Sequence, residues 1–264
     1  MRTTLAFMLA TIPSIVSAQT TETGFLDRRV TLDGSDYAYQ VYVPAAYDPA
    51  AAWPVILFLH GMGERGSDGL FQTEVGLGRA VRRHPDRYPA IIVFPQTPTT
   101  ATWQEVPGVP GPPVGPRLAL AALDRTLGEF HTDSTRVYLT GLSMGGNGSW
   151  YLAYHHPERF AALVVVCGYV SGRWGDLFPP IAPAASPDPF VAVAQRVSRI
   201  PVWIFHGEED PVVPVSESRG MAAALQTLGT DVRYTELPGI GHEAWDPAYD
   251  GAAFATWLFT QRRP

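Results

Sequence analysis

Three side chains and one loop of this 264-residue chain have the types and settings needed for nucleophilic attack on a carbonyl carbon. Ser143 sits in Gly141-Leu142-Ser143-Met144-Gly145-Gly146, between an apolar run (Arg136 to Thr140) and a segment with helical character closed by Pro157. Strand, Gly-x-Ser-x-Gly, helix is the context in which that pattern exposes a serine hydroxyl on a sharp turn. A serine hydroxyl holds its proton at neutral pH, so it needs a base, and the base needs an orienting acid.

Seven histidines are available as the base. His84, His131, His155 and His156 lie on or beside helical segments with polar neighbours and are expected at the surface. His60 and His206 follow strands directly and read as structural hydrogen-bonding residues. His242 lies in a Gly-rich turn after the last strand and is the candidate base. Glu208, Glu209 and Asp210 are adjacent, and the pattern His206-Gly207-x-x-Asp210-x-x-Val213-Pro214 singles out Asp210 as the acid. Asp246 is the alternative, although it reads first as a cap for the final segment. The order Ser143, Asp210, His242 is that of α/β-hydrolases.

Attack on an ester carbonyl leaves a negative oxygen, which aimed backbone N–H groups stabilise by about 3 kcal/mol each. Met144 opens the helix after the serine and supplies one. The other is expected from His60-Gly61-Met62-Gly63, with Met62 preferred and Gly63 second. That loop lacks the Gly-Lys-Ser/Thr ending of a phosphate-binding loop, which argues against a nucleotide. No cluster has metal-ligand spacing, so no metal and no cofactor are expected.

The elements that must position these groups read as alternating strands and helices. Leu26–Leu32 and Tyr37–Val43 flank the turn signal Asp33-Gly34-Ser35-Asp36 and predict an antiparallel hairpin. Trp53–Leu59, Ala90–Pro95, Arg136–Thr140, Ala161–Cys167 and Pro201–Phe205 are mostly apolar runs, as in strands buried on both faces, and Asp231–Leu237 reads as the last strand. Helices are expected between them, and one helix over Tyr249–Gln261 closes the chain. The fold class is therefore α/β: a mostly parallel sheet of about eight strands, helices on both faces, and an antiparallel N-terminal hairpin.

Composition bounds the rest. The 46% hydrophobic content supplies a sizeable core, and the length suits one large domain over residues 19–264. A formal charge of −6 gives no basic footprint for nucleic acid. Residues 1–18 carry one early Arg, an apolar stretch and the small-residue site Val16-Ser17-Ala18, and read as a secretory signal peptide. No other apolar run reaches membrane length, so no membrane anchor is expected, and the mature protein is expected to be secreted or periplasmic. Cys167 is the single cysteine, which rules out an intramolecular disulfide.

Together, Leu59 to Gly66, Gly141 to Gly146, His206 to Pro214 and Gly241-His242-Glu243-Ala244-Trp245 resemble the secreted α/β-hydrolase esterases. The similarity is to the predicted-peptidase and phospholipase/carboxylesterase-like group, related to feruloyl esterases and polyhydroxybutyrate depolymerases. It spans nearly the whole mature chain. It implies Ser143, Asp210 and His242 as a triad, with Met62 and Met144 as oxyanion donors. The single cysteine departs from disulfide-bearing secreted relatives, and no substantial lid insert is present.

Two Pro- and Gly-rich stretches, residues 96–116 and 168–189, follow central strands and are expected to flank the site's mouth. Trp103, Trp174, Phe178 and Trp245 are the aromatic candidates for contact with a small-molecule or polymeric ester. Three readings compete: a carboxylesterase acting on short-acyl or aryl esters, a peptidase with the same triad, and a non-catalytic carbohydrate-binding protein on a hydrolase fold.

Overall fold

The computed structural model describes residues 22–106, 113–172 and 178–264; the expected signal peptide, residues 1–18, lies outside them. Among the described residues eight strands form one sheet: β1 Gly24–Leu32, β2 Ser35–Val43, β3 Trp53–Leu59, β4 Ile91–Pro95, β5 Thr132–Leu142, β6 Ala162–Val166, β7 Val202–Gly207 and β8 Val232–Leu237. Their spatial order is β1-β2-β4-β3-β5-β6-β7-β8. β1 and β2 pair antiparallel, β2 pairs antiparallel with β4, and every other pairing is parallel. The hairpin turn is the two residues Asp33 and Gly34, both at positive φ (51° and 79°), the geometry that matches the twist of paired strands.

The α-helices among the described residues cover both faces of the sheet: α1 Leu77–Arg83, α2 Val114–Glu129, α3 Met144–His155, α4 Pro189–Val197, α5 Ser216–Thr227, α6 Trp245–Asp250 and α7 Ala252–Thr260. Side chains alternate across each central strand, yet both faces are dry. Val55, Leu57 and Leu59 of β3 pack with α2, α3, α4 and α5. Ile56 and Phe58 pack on the opposite face with α1, α6 and α7. This double burial is why the central strands read as apolar runs.

The closing segment departs from the expectation of one helix over Tyr249–Gln261. Gly251 is extended (φ −69°, ψ 123°) and separates α6 from α7. The sequence pattern hides the break because Tyr249 and Phe254 on either side both enter the same core.

Strand order reverses at β3, which lies between β4 and β5. Chains leave neighbouring strands in opposite directions there, and a crevice opens beyond their C-terminal ends. Ser143 follows β5 and Met62 follows β3, so both stand at that crevice.

Candidate active site

Ser143 has φ 52° and ψ −116°, a positive-φ conformation that L-residues rarely adopt. Its N–H donates to the Val166 carbonyl at 2.9 Å, which ties the turn to the neighbouring strand. The turn is possible because two glycines let backbone meet backbone. A Cβ on Gly141 would lie 2.3 Å from the Gly145 carbonyl oxygen, and one on Gly145 would lie 1.9 Å from that of Leu59. Any side chain at either place would collide with main chain.

The structure brings Ser143, His242 and Asp210 into one hydrogen-bonded row. Ser143 Oγ is 2.9 Å from His242 Nε2, and His242 Nδ1 is 2.7 Å from Asp210 Oδ2. An ionised carboxylate only accepts, so the ring proton sits on Nδ1 and the Nε2 lone pair faces the serine hydroxyl. Asp210 Oδ1 accepts from the N–H groups of Val212 (2.8 Å) and Val213 (2.9 Å). Burial alone pushes the Asp210 carboxyl up. Hydrogen bonds from His206, His242, Val213 and Val212 outweigh it and hold the carboxyl well below the usual carboxylate range.

Met144 is the first residue of α3 and Met62 the first of a 3-10 turn, Met62–Glu64, so neither N–H has an acceptor within its own element. Both residues line the cavity that holds Ser143 and His242, whose volume is about 530 Å³. Tyr169, Phe178, Val212 and Trp245 stand on its wall as well. Trp245 meets the His242 ring edge-on, with centroids 5.5 Å apart.

Of the expected aromatic contacts, Phe178 and Trp245 stand on the cavity wall. Trp103 does not: it is fully buried, and its Nε1–H donates to the His60 carbonyl at 2.8 Å. Expected as a substrate contact, it is instead a pin between the loop after β4 and the loop after β3. Its ring also packs edge-on against His60 at 4.9 Å. Trp174 lies outside the described residues. The alternative acid, Asp246, pairs with Arg79 at 3.2 Å and neither reaches His242 by a hydrogen bond nor caps α6.

His60 and His206 are buried and hydrogen-bonded through both ring nitrogens, whereas His84, His131, His155 and His156 are at least partly exposed. Nε2 of His60 accepts from Thr97 N–H at 3.1 Å, so Nδ1 carries the proton and donates to the Gly61 carbonyl at 2.6 Å. Burial pushes this imidazole down to about 4, which keeps it neutral and the Met62 loop fixed.

Residues 31–246 match the sequence profile of the Esterase family, described as "Putative esterase". The chain belongs to the Esterase family. Proteins similar to it include a poly(3-hydroxyoctanoate) depolymerase of Pseudomonas fluorescens, 29% identical over 234 residues, covering 80% of this chain and 76% of that one. An uncharacterized secreted protein of Arthroderma benhamiae is 28% identical over 225 residues, 74% of this chain but 22% of that protein. A solved thermostable esterase superposes with a TM-score of 0.74 at 34% identity, over 90% of this chain and 63% of that one. The esterase-family chain thus spans less than two thirds of the length of both the secreted protein and the solved esterase.

Three further residues stand around the site. Tyr169 reaches the cavity because Asn147 Nδ2 donates to its carbonyl at 3.0 Å and buried Glu217 of α5 accepts from the N–H groups of Val170 (2.9 Å) and Ser171 (3.2 Å). Position alone, just past the C-terminal end of β6, is a signal for Tyr169. Glu64 places a carboxyl, raised by burial, on the same cavity wall. Cys167 completes, with Asp210 and His242, the group of metal-capable atoms found among the described residues, all within 4.8 Å of one another. Burial pushes its thiol strongly up, so it offers no thiolate.

Proposed function

We propose that this protein is a secreted serine carboxylic-ester hydrolase that works through an acyl-enzyme on Ser143. The observation that carries the reading is the row Ser143 Oγ–His242–Asp210, with contacts of 2.9 and 2.7 Å, opening into an apolar cavity. His242 Nε2 takes the proton of Ser143 as Oγ bonds to the ester carbonyl carbon. The N–H groups of Met62 and Met144 receive the oxyanion. Collapse breaks the C–O bond, and His242 returns the proton to the departing alcohol. Water, deprotonated by the same imidazole, then attacks the acyl carbon; the bond from that carbon to Ser143 Oγ breaks, His242 returns the proton to Oγ, and the acid leaves. Asp210 stays ionised and holds the ring.

The cavity favours short-acyl or aryl esters. Apart from Glu64 and the Ser143–His242 pair, its walls are largely apolar and partly aromatic, which suits acetyl, feruloyl-type or polyester units. Secretion is supported by the leader-like residues 1–18 and by the relative described as secreted. A peptidase is the second reading, since the same row could attack an amide. The test is a matched set of ester and amide substrates: ester turnover with no amide turnover supports the esterase, and comparable turnover of both contradicts it.

A further inference from the structure

The Asp210 carboxylate serves two histidines. His242 Nδ1 approaches Oδ2 at 2.7 Å, and His206 Nε2 approaches the same oxygen at 3.2 Å. Neither the Asp210 nor the His206 side chain has any exposed surface. Each partner of His206 constrains where its proton lies. Nε2 also faces the Val213 carbonyl at 2.9 Å, so two acceptors and no donor meet it. Nε2 therefore carries the proton, donates it to the Val213 carbonyl at 2.9 Å and sets it beside Asp210 Oδ2 at 3.2 Å. Nδ1 lies 2.7 Å from Ser218 Oγ on α5, and a serine hydroxyl can donate to it. A neutral His206 in the Nε2–H form satisfies every one of these contacts.

We propose that His206 is a positioning residue for the reaction: its Nε2–H orients the Asp210 carboxylate toward His242 and draws off part of its charge. The proposal rests on the esterase reading above. Its logic is electrostatic. Whatever charge remains on Asp210 favours the imidazolium form of His242, which cannot act as base. A second donor beside the same oxygen weakens that pull. The donor also blocks rotation of the carboxylate, whose other oxygen is held by Val212 and Val213.

The remaining charges near His206 do not supply this effect. Glu236 faces it from β8, in register with His206, and is paired with Arg219 of α5 at 2.5 Å and with Tyr234. The Glu236–Arg219 pair is close to neutral as a unit. Glu217, beside Ser218, is engaged with Val170 and Ser171. Cys167, which lies near Asp210, is a neutral thiol.

The test compares His206→Phe, which keeps a ring but no donor, with His206→Gln, which keeps a donor and cannot titrate. The expected result for Phe is a kcat loss of roughly tenfold with KM unchanged within about twofold, the size of effect for one charge-assisted hydrogen bond that touches no substrate. Its acid limb should also move to higher pH, by about half a unit to one unit. Gln should recover most of kcat and restore the limb. A folded Phe variant with wild-type kcat and limb overturns the proposal. So does equal damage in Phe and Gln with the limb unmoved, because that pattern belongs to packing alone. Should Phe fail to fold, nitrogen-15 NMR of the wild type decides: an Nε2–H tautomer whose signal shifts in Asp210→Asn supports it, and an Nδ1–H tautomer overturns it. The NMR arm keeps its meaning even for a protein that hydrolyses no ester, so failure of the esterase reading and failure of this proposal are separable.

Discussion

The Cα of Gly145 lies so close to the carbonyl of Leu59 that a Cβ there would sit 1.9 Å from the oxygen. This contact joins the turn after β5 to the end of β3, the two strands that carry Ser143 and Met62. Gly145→Ala is therefore expected to push the two apart. Overpacking of this kind costs about 1–3 kcal/mol, and more when the obstacle is main chain. Thermal unfolding should show a lower midpoint, and ester turnover should fall by more than the loss of folded protein explains. An Ala variant with wild-type midpoint and activity would contradict the geometry.

Much of the fold is legible in the sequence because the central strands are buried on both faces and so read as apolar runs. The serine turn is legible because close backbone contact admits only glycine. Trp103 is not, because a tryptophan in a Pro-rich loop looks the same whether it faces substrate or pins the loop. Its Nε1–H to the His60 carbonyl decides that, and the partner is 43 residues away. Tyr169 and Glu217 escape a sequence reading for the same reason. Their roles come from contacts between α5 and the loop after β6, which no local pattern encodes.

The carboxyl of Asp210 is held below the ordinary Asp value of about 3.9. A folded-state value below the unfolded one contributes stability that is present above the unfolded value and lost as pH falls toward the folded one. Asp210 thus remains ionised at pH 5 and takes up no proton of its own there. The slope of log kcat/KM against pH should therefore not exceed one between about pH 7 and about pH 4. A slope of two would mean that Asp210 titrates in the same range and would contradict its lowered value.

Asp210→Asn keeps the shape of the acid but presents an amide to His242. Its NH₂ can reverse the ring tautomer, so that Nε2 carries the proton and no longer accepts one. A change of this type lowers kcat by about 10⁴-fold in serine triads. Asp246→Asn, which touches Arg79 and not His242, should change kcat by less than about twofold. Steady-state kinetics on both variants separates the two acids; a larger loss in Asp246→Asn would reverse their assignment.

Metal chelation should leave turnover intact. Asp210 and His242 are committed to each other at 2.7 Å, and the Cys167 thiol is buried and protonated. Dialysis against EDTA followed by rate measurement checks this. Loss of activity that Zn²⁺ or Ca²⁺ restores would contradict it.

Hydrolysis of p-nitrophenyl acetate, butyrate and octanoate by the purified protein, beside Ser143→Ala, asks directly whether Ser143 is the nucleophile. The wild type should turn over all three, fastest on the short acyl chains that the cavity suits. The variant should lose at least about 10³-fold in kcat. Equal turnover by the two proteins would show that Ser143 is not the nucleophile, and the esterase mechanism built on it would fall.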